Sequence, residues 1–223
     1  MTDLKQELYL IADEMRGMAT LHKMFADNVY HVERADHLMQ LAAKVASLVD
    51  ENQPEIVQQL FNGDPWLRFS PAIGADAAVF NPAGEILLIQ RKDNAHWAMP
   101  GGLVEIGQTL AQAALRELWE EAGLRGRVVR LLGVFDGRHW ESRTKVHLVH
   151  PVFLIECDDL IPSPGIESLD AKFFNRNELP KEMHAGHELR VPKCFDLVKQ
   201  PDTYFDPADS YTVDLPLHQR PQS

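Results

Sequence analysis

The segment Gly101–Leu124, GGLVEIGQTLAQAALRELWEEAGL, constrains the chain more than any other. Thr109 followed by Gln112 has the spacing of a capping box, in which each side chain satisfies a backbone N–H of the other residue. A helix should therefore begin just after Thr109. The residues that follow carry no β-branching, which favours continuation, and Gly123 is placed to end the helix in the left-handed conformation. Leu110, Ala114, Leu118 and Ala122 form one apolar stripe, suited to packing on a sheet.

On that helix Glu117, Glu120 and Glu121 are spaced so that their carboxylates emerge on one side. Charges so close repel. A hard divalent cation bridging them is one resolution, since magnesium and manganese prefer oxygen ligands; a solvated helix face is the other. Arg116 is placed to buttress one carboxylate through paired hydrogen bonds. The preceding pair Gly101-Gly102 would let backbone groups approach the same ion or its phosphate.

The rest of the chain has two textures. From Leu4 to Leu60 the only glycine is Gly17 and the only proline Pro54. Leu4, Leu8, Ile11, Met15 and Met18 recur at helical spacing, as do Leu38, Leu41, Val45 and Leu48. Glu55 to Phe61 suggests a third short helix. This is a small all-helical unit, assigned to residues 1–64. After Gly63-Asp64-Pro65 strands are expected at Ala75–Phe80 and Ile86–Ile89, joined by a turn at Asn81-Pro82-Ala83-Gly84. Further strands are expected at Val128–Phe135, Val146–Cys157 and Phe173-Phe174, and a helix at Glu188–Lys199 despite Pro192. Strands and helices mixed without regular βαβ alternation indicate an α+β domain over residues 65–200. Residues 201–223 read as an extended tail, free or packed on a neighbouring subunit.

Composition narrows the function. A formal net charge of −11 with no run of Lys or Arg argues against nucleic acid as a partner. Asp3, Lys5 and Glu7 interrupt the start where a signal peptide needs an apolar run, and no stretch suits a membrane span. A cytoplasmic protein is expected. The two cysteines, Cys157 and Cys194, have no metal-ligand spacing and suggest no disulfide scaffold. His147 and His150 should fall on opposite faces of a strand, and the pair His184 and His187 carries no specific signal.

From Gly102 the residues follow the pattern G-x5-E-x7-R-E-(apolar)-x-E-E-x-G-(apolar), and the segment resembles the Nudix hydrolase box. Arg116, Glu117, Leu118, Glu120, Glu121, Gly123 and Leu124 stand where that pattern puts them. Trp97-Ala98-Met99-Pro100-Gly101 is similar to the usual lead-in, and the resemblance spans about Pro71 to Lys199. It implies a mixed-sheet α/β/α sandwich and hydrolysis of a phosphoanhydride with magnesium or manganese as cofactor. The implied metal ligands are Glu117, Glu120 and Glu121, with the Gly101 carbonyl assisting, and Arg116 completes the group. The implied base is a box glutamate or an acidic residue on a later loop, a position Glu167 matches. One residue departs: Gln108 stands where the family has its first glutamate, and Glu105 is near enough in sequence to compensate.

Beside these, Arg91 and Lys92 are candidates for steering phosphates. Phe135, Arg138, His139 and Arg143 are candidates for receiving a base, although each alone reads as structural or surface before ligand-binding. Leu8–Val45, including Ile11-Ala12-Asp13-Glu14 and Tyr30-His31-Val32-Glu33-Arg34, resembles the helical extension of Nudix hydrolases of X-linked nucleoside diphosphates. That implies a small-molecule nucleotide substrate such as ADP-ribose or CDP-choline, and helical extensions with Met-rich faces commonly make homodimers. Two alternatives stay open: a nucleoside triphosphate pyrophosphatase, and a sensor that binds a nucleotide sugar without cutting it.

Overall fold

Alternation in the short apolar strands shows how the domain is layered. In the computed structural model, which describes residues 4–48, 54–55, 57–58, 71–142 and 147–207, Ile86, Leu87, Leu88 and Ile89 are all fully buried. Successive side chains of a strand point to opposite faces. Leu87 and Ile89 accordingly enter one core, and Ile86 and Leu88 the other. A strand buried on both faces needs a layer on each side, and two helices supply them.

Among the described residues eight strands follow in chain order: β1 Ala72–Val79, β2 Ile86–Arg91, β3 Trp97–Ala98, β4 Gly101–Leu103, β5 Gly126–Asp136, β6 Leu148–Cys157, β7 Ser168–Phe174 and β8 Tyr204–Phe205. They form a five-stranded mixed sheet, β4-β1-β6-β5-β8, and a three-stranded sheet, β3-β2-β7. The helices are α1 Leu4–Met24, α2 Val29–Ser47, α3 Leu110–Ala122 and α4 His187–Leu197, with a 3-10 turn at Arg176–Glu178. Helix α3 covers one face through Ala113, Ala114, Leu118 and Ala122. Helix α4 covers the other through Val191, Cys194, Phe195 and Leu197. This is the expected α+β sandwich, with α1 and α2 before it.

Most expected elements recur with their ends moved by one to three residues, but β7 begins five residues before Phe173, and the short strands β3, β4 and β8 were not expected. Two further differences concern the tail and the helical unit. Residues 201–207 are not a free tail. Tyr204–Phe205 pairs in parallel with Gly133–Val134 of β5. Asp206 then accepts hydrogen bonds from the Trp140 indole at 2.7 Å and the Asp136 backbone N–H at 2.6 Å. The edge of β5 offered unpaired backbone groups, and the segment took them. Residues 208–223, most of the expected third helix and Arg143 lie outside the described residues.

The second difference is in the helical unit. The expected ridge of α1 does not form its seam with α2. Ala12 and Ala19 are buried together with Ala35, Met39, Ala42, Ala43 and Ala46 of α2, whereas Leu4, Ile11 and Met18 are exposed. Small alanines let the two helix backbones approach closely, which leaves the larger apolar residues facing outward. Cys157 and Cys194 are both free thiols, and burial raises them to about 11 and about 12. No helix among the described residues is long and apolar enough to cross a membrane.

Candidate active site

Helix α3 is fixed at both ends by its own sequence. Thr109 Oγ1 accepts from the Gln112 N–H at 3.2 Å while Gln112 Oε1 accepts from the Thr109 N–H at 2.8 Å, completing the capping box. At the other end Gly123 takes φ 67° and donates its N–H to Trp119 O at 2.9 Å. A helix leaves its last carbonyls without partners. Here the loop before β7 supplies them: Ser163 N–H donates to Ala122 O at 2.9 Å, Gly165 N–H to Glu121 O at 3.2 Å, and Ser168 Oγ to Glu121 O at 2.7 Å. That loop carries Ile166 and Glu167 to the side of the helix where the glutamates emerge.

A cavity of about 780 Å³ opens there. Its wall includes Gly101, Gly102, Arg116, Glu117, Glu120, Glu121 and Glu167, and Arg91, Lys92 and Asp93 line it too, Lys92 beside Glu167. Arg91 donates to both oxygens of Asp93, at 3.0 and 2.9 Å. Leu21 and Phe25, from the C-terminal end of α1, complete the wall with Ile166. Helix α1 reaches the cavity because Gly17 leaves room for Ile106 and the Glu14 carboxylate lies over Gly107.

The carboxylates differ in their surroundings. Glu117 and Glu121 are only 8% and 5% exposed. Burial pushes Glu121 up to about 8, with the Gly101 N–H opposing and the Glu117, Arg91 and Glu167 charges smaller influences of mixed sign. Burial also raises Glu117, against the Arg116 guanidinium. Glu121 Oε2 accepts from Gly101 N–H at 2.8 Å. Arg116 buttresses two carboxylates rather than one: it lies 2.8 Å from Glu117 Oε1 and 2.7 Å from Glu120 Oε2. A third N–H of Arg116 contact goes to Leu103 O at 3.1 Å.

The glycine pair also meets a steric demand. A side chain on Gly101 would collide with the Asp76 carboxylate, and one on Gly102 with the Glu117 carboxylate. Asp76 is paired with buried Arg190 of α4, and next to Gly101 the Met99 N–H donates to His187 Nδ1 at 3.1 Å. Thus the site strand is held from behind by α4. Sequence reading missed Asp76 and Arg190, although a single Asp inside the buried run Ala75–Val79 was the available signal. It also missed Leu21 and Phe25, where the seven-residue spacing of Leu4, Ile11, Met18 and Phe25 was legible.

Phe135, Arg138 and His139 are not part of this cavity. The expectation that Phe135 receives a base is corrected, while Arg138 and His139 are exposed outside this cavity. Phe135 is fully buried, its ring packed 4.9 Å from Trp140 and 5.2 Å from Tyr204 between centroids, so neither face is open to a ligand. Arg138 and His139 lie in the turn that follows, anchored through backbone bonds to Asp136. His147 pairs with Asp136 at 2.8 Å while His150 faces Asp76 at 3.6 Å, so the two histidines diverge as expected.

The donor set decides whether a cation fits. Among the described residues no three His, Cys, Asp or Glu side chains are gathered as they stand at ion-binding spacing, because Arg116 holds Glu120 and Gly101 holds Glu121. The donors are nevertheless all oxygen, two are buried carboxylates, and Arg116 is the one cation beside Glu117 and Glu120. Burial disfavours the charged forms of Glu117 and Glu121, and a hard divalent ion would favour them.

A three-layered α/β/α sandwich with a glutamate helix against a glycine strand defines a recognisable class, and the family model described as the NUDIX domain matches residues 70–194. The chain belongs to the Nudix family. It is 30% identical over 200 residues to a Bacillus subtilis protein provisionally named an ADP-ribose pyrophosphatase, covering 87% of this chain and 95% of that one. It is 36% identical over 118 residues to the ADP-ribose pyrophosphatase of Methanocaldococcus jannaschii, covering 52% of this chain and 68% of the relative. A solved UDP-X diphosphatase superposes with a TM-score of 0.58 over 91% of this chain and 99% of its own, at 21% identity, a likeness of fold that includes the helical unit.

Proposed function

We propose that the chain hydrolyses the phosphoanhydride of a nucleoside diphosphate linked to a second group, giving a nucleoside monophosphate and the phosphorylated group. The observation that carries this reading is the cavity itself. The buried carboxylates of Glu117 and Glu121 and the exposed ones of Glu120 and Glu167 line it together with Arg91 and Lys92, and Leu21, Phe25 and Ile166 form an apolar flank. A diphosphate fits between the charges, and a base fits the flank. Phe25 is 68% and Ile166 88% exposed, an unusual outlay of apolar surface unless something covers it.

In this reading Glu117, Glu120, Glu121 and the Gly101 carbonyl hold magnesium or manganese. Such an ion would neutralise the phosphate oxygens and make the attacking water more acidic. Arg116 orients Glu117 and Glu120. Glu167, exposed at the cavity and hydrogen-bonded through its carbonyl to Lys92 N–H at 3.0 Å, takes the proton from water. Arg91, fixed by Asp93, binds the phosphates. Residues 1–64 act as a helical domain that supplies the flank, and residues 65–200 as the catalytic domain. The outward ridge Leu4, Ile11 and Met18 pairs with a second copy in a cytoplasmic homodimer.

The test is phosphate release, with added phosphatase, from ADP-ribose, CDP-choline, UDP-sugars and nucleoside triphosphates in magnesium and in manganese. Turnover of a linked diphosphate that Glu120→Gln lowers at least about hundredfold, some 2.7 kcal/mol of transition-state stabilisation, supports the reading. Preference for triphosphates, or tight binding with no turnover, overturns it.

A further inference from the structure

The box departs from its pattern at Gln108, and the structure shows what the amide does there. Gln108 Oε1 lies 3.5 Å from Arg116 Nε and accepts from the Glu105 N–H at 3.4 Å, while Gln108 Nε2 donates to Glu105 Oε2 at 3.3 Å. An amide has an acceptor end and a donor end. Here the acceptor faces a cation and the donor faces an anion, an arrangement that a glutamate at position 108 could not make. The turn that brings these groups together is closed by Gln108 N–H donating to Glu105 O at 3.1 Å.

Glu105 thereby lines the same cavity as Arg116, Glu117 and Glu120. Its charge also reaches Arg116: burial works against the guanidinium, yet the Glu117, Glu120 and Glu105 carboxylates together raise its pKa. Arg116 now relies on Glu117 and Glu120 as its ion-pair partners. When those two turn to a divalent cation, their charge is shared, and an unbalanced guanidinium would oppose the incoming ion. A further carboxylate removes that opposition.

We propose that Glu105 is the displaced carboxylate of the box, a positioning residue that Gln108 orients to balance Arg116 while Glu117 and Glu120 bind the cation. The missing charge has moved three positions toward the N-terminus, and the glutamine is its mount. This rests on the hydrolase reading above for its catalytic consequence, but not for its electrostatics.

The test compares the full chain with Glu105→Gln, Gln108→Glu and the double exchange. Manganese affinity is read by paramagnetic resonance of the free ion without substrate, and kcat and KM on the preferred diphosphate. Glu105 is exposed, so the core is undisturbed. Glu105→Gln is expected to weaken manganese binding and lower kcat about tenfold, with KM for the nucleotide nearly unchanged. Gln108→Glu alone brings no gain, because two carboxylates then meet where a donor met an acceptor. The double exchange recovers manganese affinity and kcat to within about threefold of the parent, a coupling that independent sites would not show. A Glu105→Gln protein that matches the parent, a gain from Gln108→Glu alone, or a double exchange no better than Glu105→Gln would each overturn the proposal. If the parent turns over no substrate, the hydrolase reading fails by itself, and the manganese arm still decides whether the charge has moved.

Discussion

At the scale of single residues the site depends on space as much as on charge. Gly102 is a glycine because the Glu117 carboxylate occupies the position of its missing side chain, not because its backbone conformation demands one. Gly102→Ala therefore displaces Glu117 from Arg116. The expected result is loss of nearly all activity, with a fall in stability of about 1–3 kcal/mol from overpacking, read by kcat/KM beside a denaturant titration. A variant that keeps full activity would show that Glu117 is dispensable where it now stands. Single-residue chemistry was the most legible layer in the sequence: Arg116, Glu117, Glu120 and Glu121 sit together, with Glu167 beside them, because one helix and one loop carry them. Phe135 misled for a physical reason. An aromatic beside Arg and His resembles a stacking platform, and only tertiary packing against Trp140 and Tyr204 reveals a core residue.

At the scale of elements, α3 works as a rigid rod pinned at both ends. Its capping box and left-handed terminator were readable because capping chemistry is local, complete within a few residues. The loop carrying Glu167 was placed by sequence but its attachment was not, since its bonds to Ala122 and Glu121 carbonyls join segments some forty residues apart. The seam of α1 with α2 was likewise not legible: periodicity located an apolar ridge, while the contact surface is made by the smaller alanines. Gly123→Ala tests the pin. It forces an alanine into φ 67° against Ser163, costing about 1 kcal/mol or more. Thermal unfolding should fall by several degrees, and kcat should fall too because the Glu167 loop shifts with the helix end. A stability loss with unchanged kcat would separate the loop from the chemistry.

At the scale of the whole molecule, the helical unit lines the cavity and α4 braces the strands behind it. Phe25 is the outer reach of α1, and its ring is exposed where a base would sit. Phe25→Ala should raise KM for the nucleotide roughly tenfold, as loss of one base-aromatic contact of about 1–2 kcal/mol implies, with kcat little changed. An unaltered KM would put the base elsewhere.

Helix α4 connects the same site to solution pH. His187 is buried beneath Met99 and accepts its N–H. Burial first, then the Arg190, His184, His150 and Arg91 charges, hold its imidazole well below the ordinary value of 6.5. The unfolded chain therefore takes up this proton at about pH 6.5 while the fold still refuses it. Stability is fully present above that pH and is lost as the pH falls from there toward the folded value. A proton on His187 would also remove the acceptor for Met99, next to the Pro100-Gly101 turn into the site. Thermal melts should be flat near pH 8 and decline steadily below about 6.5. His187→Gln keeps an acceptor for Met99 and removes the titration, so its melting temperature should decline less steeply over that interval. An equally steep decline in the variant would move the acid sensitivity to another group, His150 being the other buried imidazole on that side of the sheet.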